Sequence, residues 1–180
     1  MHHDLTQACS LPEGCFSIVI APYTNLIPAV MQTLQEERRK ILYVSGNYPP
    51  ILTAIDRQHG LFSVRRALTA YQYLTILAEA YESCIIIEHD RSVYTDAPET
   101  AEPFGRLCRE RAEGAAVLII ARRWDVFIEA MAPAAHYVVH VPEREKWPAA
   151  VHDRKTQTKK TDTSDTGRQS AQRRLWDGEW

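Results

Sequence analysis

No apolar run in this sequence approaches the ~20 residues a membrane-spanning helix needs. The opening stretch MHHDLTQACSLPEG is polar and mildly acidic, without the basic start and apolar centre of a secretory signal. Both absences point to the cytoplasm, where cysteines are expected as free thiols. The four present (Cys9, Cys15, Cys84 and Cys108) include no C-x-x-C pair, which argues against a zinc knuckle. Cys84 opens an apolar run and Cys108 lies on an apolar helical stripe, so both read as small core residues. Cys9 and Cys15 fall near a flexible N-terminal end, residues 1–13, and nothing beside them completes a metal shell with His2 and His3. The expectation is a protein without bound metal or cofactor.

Glycine is scarce, seven in 180 residues, and it is missing where it would matter most. The apolar run Phe16–Ile20 (FSIVI) is followed by APYTN, and a helical apolar pattern resumes at Leu26. In a nucleotide-binding α/β protein that first strand-to-helix turn supplies glycines, so that backbone N–H groups can wrap phosphates, and a lysine to neutralise them. Here Pro22 removes a donor and Tyr23 fills the space. Nucleotide binding is therefore expected to be absent.

The composition is otherwise that of an ordinary globular protein, 45% hydrophobic and 24% charged. The net charge of −2 is unevenly spread: residues 1–150 hold fourteen Lys/Arg against eighteen Asp/Glu, and residues 151–180 seven against five. An acidic core of net charge −4 argues against extensive phosphate contact, so DNA binding by the folded part is expected to be poor.

Strand and helix patterns alternate through the first 141 residues. Strands are expected at 16–20, 41–45, 61–67, 84–87, 116–121 and 136–141. Helices are expected near 25–39, after Pro49-Pro50, and at 70–82, 99–113 and 124–132. The first helix presents Leu26, Ile27, Val30, Met31 and Leu34; the one at 70–82 presents Leu74, Leu77, Ala78 and Tyr81, with Thr69 as its N-cap. Gly60 is expected to stop the helix after Pro50. The last helix presents Trp124, Phe127, Ile128 and Met131. Repeated β–α units with fully apolar, β-branched strands imply an α/β fold with a mostly parallel sheet and helices on both faces. From Pro142 the pattern stops, and residues 151–174 carry too little apolar content to offset ordering entropy.

Three stretches carry a family resemblance. FSVRRALTAYQYLTILAEAYES resembles the recombinase segment of strand, Arg-Ala, linker and Gln-bearing helix. CIIIEHD resembles the acidic strand end that orients magnesium-bound water, with Glu88 at the place of the acid. AVLIIARR…MAPAAHYVVHV resembles the closing strand–helix–strand. Over residues 14–141 the order is similar to the ATPase core of RecA-type proteins, especially archaeal RadA/RadB recombinases and KaiC-like proteins. The resemblance implies a three-layer RecA-like P-loop NTPase fold with a degenerate phosphate loop. The family's G-x-x-x-x-G-K-[ST] loop should fall at 21–28, where APYTNLIP matches none of its defining positions. The second DNA-binding loop is nearly absent, because Trp124 and its helix follow almost directly on Ala121.

Glu88, His89 and Asp90 end a strand where open α/β sheets place ligands. Carboxylates there could hold a divalent ion with His89 as base, as in a metal-dependent hydrolase or nuclease. The preferred reading is the remnant of a magnesium site whose phosphate partner is gone, since a fold alone does not carry function. Arg65 and Arg66 point to opposite faces of one strand and could contact an anion or a partner, or they guard a sheet edge. Arg122 and Arg123 could form an anion site, or pair with Glu88 or Asp90. His136 and His140, four apart on a strand, stand about 13 Å apart, too far to share a metal.

In the tail, Gln172, Leu175, Trp176 and Trp180 look like a docking peptide for a protein partner. Gln172 and Leu175 match the spacing of sliding-clamp-binding peptides, and a sliding clamp or recombination factor is a candidate partner; the aromatic spacing departs, with Gly178 and Glu179 where the pair should be. The expected function is that of a non-catalytic RecA/RadA-like paralogue, an accessory or regulatory partner in DNA recombination or repair. The alternatives are a hydrolase built on Glu88 and Asp90, and a KaiC-like regulatory module unrelated to DNA.

Overall fold

Six short strands assemble because each is a run of β-branched or aromatic residues bounded by turn formers, and parallel pairing buries most of them on both faces. In the computed structural model, residues 9, 12–55 and 62–142 are described, and all belong to one unit, Met1–Glu145. The strands are β1 (Phe16–Ile20), β2 (Ile41–Ser45), β3 (Phe62–Arg66), β4 (Cys84–Glu88), β5 (Ala116–Ala121) and β6 (Tyr137–His140). They form one sheet in the order β3-β2-β4-β5-β1-β6, every pairing parallel. The connecting helices are α1 (Tyr23–Glu36), α2 (Pro50–Ala54), α3 (Ala70–Glu79), α4 (Ala101–Arg111) and α5 (Val126–Met131), with 3₁₀ turns at Arg91–Tyr94, Pro98–Thr100 and Ala132–Ala134.

The α/β class and the parallel sheet expected from the sequence are what the chain adopts. Right-handed crossovers dictate the layering. The chain steps one way along the sheet from β1 to β2 to β3, placing α1 and α2 on one face, then the other way from β3 onward, placing α3, α4 and α5 on the opposite face. Two separate cores result. One packs Leu26, Val30, Leu34, Ile51 and Leu52 against Val19, Tyr43, Ile86 and Leu118. The other packs Tyr73, Leu77, Phe104, Cys108 and Ile128 against Ile18, Leu42, Ile85 and Ile119. Among the described residues no helix is long and apolar enough to cross a membrane.

Several sequence expectations need correcting. The α1 helix ends at Glu36 rather than 39, and Ile27 and Met31 lie only partly buried at its flank. The α3 helix is capped by Thr69, whose side chain accepts from the Gln72 N–H, but it ends at Glu79, and its buried face is Ala70, Tyr73, Ile76 and Leu77. Tyr81, expected inward, lies beyond the helix and is 73% exposed, and Ala78 is exposed. Trp124 precedes α5 and is exposed rather than inward. Cys9, expected in a flexible end, is fully buried, and its carbonyl accepts from the Thr33 hydroxyl at 3.2 Å. Residues 143–180, with Gln172, Leu175, Trp176 and Trp180, lie outside the described residues, as do Gly60 and most of the first eleven positions.

Candidate functional site

In an open parallel sheet, ligands bind outside the carboxyl ends of the strands, at crevices where neighbouring strands send their connections to opposite faces. The order β3-β2-β4-β5-β1-β6 creates two such crevices, one between β2 and β4 and one between β5 and β1.

The first is closed by the chain itself. Glu88, the last residue of β4, is 3% exposed. Its Oε1 accepts the backbone N–H of Ile51 at 2.9 Å, and its Oε2 accepts Leu52 N–H at 3.0 Å and the Tyr43 hydroxyl at 2.8 Å. The donors have a simple origin. Pro49 and Pro50 open the short helix α2 without a side-chain cap, leaving its first N–H groups to find an acceptor elsewhere. The Glu88 carboxylate is that acceptor. From the opposite face of the sheet the Tyr73 hydroxyl donates to the Glu88 carbonyl at 3.0 Å. Burial lifts the Glu88 carboxyl above its usual range, partly offset by the Ile51, Tyr43 and Leu52 hydrogen bonds.

Asp90 completes the closure. Its Oδ2 accepts Asn47 N–H at 2.8 Å and Tyr48 N–H at 3.3 Å, and its Oδ1 accepts Ser92 N–H and hydroxyl at 2.9 and 2.7 Å. Burial raises this carboxyl, but the donors at Ser92, Tyr48 and Asn47 outweigh it and hold it below the ordinary aspartate value. Gly46 makes the approach possible: a Cβ there would stand 2.6 Å from Asp90 Oδ2. Four backbone N–H groups of the segment following β2 thus converge on two carboxylates, one ending β4 and one two residues beyond it.

His89 turns the other way. Its Nε2 lies 2.9 Å from Asp125 Oδ2, and its ring stacks over Tyr94 at a centroid distance of 5.8 Å. Asp125 is the N-cap of α5, its Oδ1 accepting Phe127 and Ile128 N–H at 3.0 and 2.9 Å. Its carboxyl is raised by burial but held lower on balance by His89 and by the two capped N–H groups. Glu88 and Asp90 therefore tie down the segment after β2 and His89 the start of α5, so all three weak catalytic candidates have structural partners. Among the described residues no three His, Cys, Asp or Glu side chains stand close enough to hold a metal ion.

The second crevice, between β5 and β1, carries the positive side chains. Arg122 and Arg123 follow β5 and are exposed. The expected pairing with Glu88 or Asp90 does not form, because those carboxylates are engaged with backbone donors. Instead the Arg122 guanidinium lies over the Tyr23 ring, 5.4 Å from its centroid. Next to them the Trp124 ring meets His140 at 6.4 Å. A cleft of about 460 Å³ runs from Tyr23 to the loop beyond β2, lined by Asn47, Tyr48, Pro49, Pro50 and Thr53.

The remaining candidates lie elsewhere. Arg65 and Arg66 are on β3, an edge strand; Arg65 pairs with Glu79 at 3.2 Å and Arg66 is exposed. His136 fastens β6 to β1, its Nδ1 accepting the Phe16 N–H at 2.9 Å and its own N–H donating to the Phe16 carbonyl. Asp125 was missed by sequence reasoning, although an aspartate directly before an apolar helical run is a readable N-cap signal. Tyr43 carried no such signal.

No family model matches the chain. It is 36% identical over 100 residues to an uncharacterized protein of Archaeoglobus fulgidus, an alignment covering 54% of this chain and 49% of that relative. The chain thus spans about half the length of the curated relative it matches.

Proposed function

We propose that this chain is a non-catalytic α/β protein of RecA/RadA-like architecture that works by binding a protein partner, as an accessory or regulatory factor in DNA recombination or repair. The observation that carries the non-catalytic part is the environment of Glu88. At the strand end where a magnesium-orienting acid would sit, both carboxylate oxygens are occupied by Tyr43, Ile51 and Leu52, and the side chain is 3% exposed. An acid accepting three protein hydrogen bonds at 3% exposure is poorly placed to order a metal-bound water.

The architecture supports the RecA-type reading. One strand, β5, separates β1 from β4, so the turn after β1 and the acid ending β4 open on the same edge of the sheet. A phosphate loop and its magnesium acid would need that arrangement. The turn itself, Ala21-Pro22-Tyr23, offers no glycine, and its tyrosine stands against Arg122 where a phosphate cradle would lie. The assignment to recombination or repair rests on the sequence resemblance. The tail residues Gln172, Leu175, Trp176 and Trp180 remain part of the proposal as a docking peptide.

Titration calorimetry of the full chain with ATP and magnesium tests the reading. No saturable heat at micromolar concentrations is expected; saturable binding with ATP turnover would replace it with an enzyme whose site uses other residues.

A further inference from the structure

The two crevices of the sheet differ in one respect that bears on ligands. Between β2 and β4, carboxylates neutralise the converging backbone donors internally. Between β5 and β1, among the described residues, no carboxylate pairs with Arg122 or Arg123. The nearest acids are already engaged: Glu88 by α2, Asp90 by Asn47, Tyr48 and Ser92, and Asp125 by His89 and the start of α5. Among the described residues, two guanidinium groups therefore stand without a carboxylate partner where an open α/β sheet offers its ligand crevice.

The surroundings are apolar and aromatic. Trp124, directly after the arginine pair, is 42% exposed, and Val126 two residues further on is 65% exposed. On the far side of Tyr23 the cleft is walled by Pro49 and Pro50 and ends at Tyr48, 82% exposed. The loop presenting Tyr48 is held rigid by the Asp90 hydrogen bonds to Asn47 and Tyr48 and by the Glu88 hydrogen bonds to Ile51 and Leu52. With the backbone fixed, only the side-chain rotamers of Tyr48 have to be ordered on binding, which suits an interface anchor.

We infer that this edge, with Arg122 and Arg123 as the charged contacts and Tyr23, Tyr48 and Trp124 as the apolar ones, binds an acidic segment of a partner protein in which carboxylates alternate with large apolar side chains. The inference rests on the partner-binding reading above and names the chemistry of the partner. Charge complementarity selects the anion, since paired guanidiniums match carboxylates in bidentate geometry. Two further observations select a peptide. A free nucleotide would need a phosphate cradle, and the turn after β1 supplies a proline without an N–H. A nucleic acid would need many phosphate contacts, and residues 1–150 carry a net charge of −4 even with this local pair counted.

The test uses the full chain and a random copolymer of glutamate and tyrosine as the probe, followed by fluorescence anisotropy at physiological salt. Polyglutamate, a twenty-nucleotide oligothymidylate and ATP with magnesium serve as competitors. The copolymer should bind and exceed polyglutamate, and Arg122→Gln with Arg123→Gln should weaken it by about tenfold or more. Arg106→Gln with Arg109→Gln, on α4 across the sheet from the cleft, should leave binding unchanged. Tyr48→Ala, at a fully solvated loop tip, should weaken it without lowering the melting temperature. Unchanged binding in the Arg122/Arg123 variant overturns the inference, as does displacement by oligothymidylate at equal or lower concentration. Absence of copolymer binding, with ATP also inert, overturns the inference and leaves the non-catalytic reading standing. Displacement of the copolymer by ATP overturns both.

Discussion

Glu88 Oε1 accepts the Ile51 N–H at 2.9 Å, joining the end of β4 to the first turn of α2 across 37 residues of sequence. With the bonds to Leu52 and Tyr43, the carboxylate functions as a remote cap on a helix that lacks one of its own. Glu88→Ala leaves three donors without their acceptor, and an unsatisfied buried donor costs about 1–3 kcal/mol, so a loss of roughly 3 kcal/mol or more is expected. Urea unfolding measures it, and a loss below about 1 kcal/mol would mean that α2 does not depend on this side chain.

The same residue sets a pH dependence. Burial raises the Glu88 carboxyl above its ordinary 4.5. Between that value and the raised one, the folded state holds a proton that the unfolded state has lost, so stability falls as pH rises through the window. The stability advantage of the natural protein over Glu88→Gln should therefore be larger at pH 4 than at pH 7. An advantage that grows with pH would show that the hydrogen bonds to the carboxylate outweigh its burial.

Asp90 behaves in the opposite sense. Its carboxyl lies below the ordinary 3.8 on balance, so its contribution is present above that value and disappears as pH falls through the lowered one. Asp90→Asn should cost more stability at pH 7 than at pH 3. Equal costs at the two pH values would remove the charged form from the account.

Gly46 and Asp90 are coupled by contact. A Cβ at position 46 would stand 2.6 Å from Asp90 Oδ2, and overpacking of this kind costs about 1–3 kcal/mol. Gly46→Ala is expected to destabilise by that amount, and less so when Asp90 is already glycine, since the Asp90 Cβ would stand nearest of all, at 2.4 Å. Strict additivity in the double-mutant cycle would contradict the contact.

Asp125 does two jobs that substitution separates. Asp125→Ala should cost about 1–2 kcal/mol as a lost N-cap. Asp125→Ser keeps a capping oxygen but not the reach to His89, so its melting temperature should fall between the two. A serine variant no better than alanine would assign the whole effect to the His89 contact.

The strands were the most legible part of the chain. FSIVI, ILYVS and AVLIIA are apolar runs bounded by turn residues, and β1, β2 and β5 occupy those spans. Helix faces were less so. The spacing of Tyr81 from Leu77 predicts a place on the buried face of α3, but the helix ends at Glu79 and spacing has no meaning beyond it. Tyr73, the aromatic that does reach the core, sits one residue before the expected Leu74. The position of the acidic tripeptide at a strand's carboxyl end was readable, whereas its partners were not. Backbone N–H groups at residues 47, 48, 51 and 52 carry no signature of their own, and nothing local announces which distant carboxylate will accept from them. The pairing imagined for Arg122 and Arg123 failed for the same reason: the carboxylates were already engaged.

The amides of the segment after β2 belong to Glu88 and Asp90 and not to a bound anion or metal complex. Nuclear magnetic resonance of the ¹⁵N-labelled full chain reads this directly at Asn47, Tyr48, Ile51 and Leu52 during titration with ATP and magnesium. Slow hydrogen exchange is expected at Ile51 and Leu52, with no shift of the four amide signals up to millimolar ligand. Saturable shifts of those four signals, with faster exchange at Ile51, would show that the carboxylates release the loop to a ligand, and would contradict that assignment.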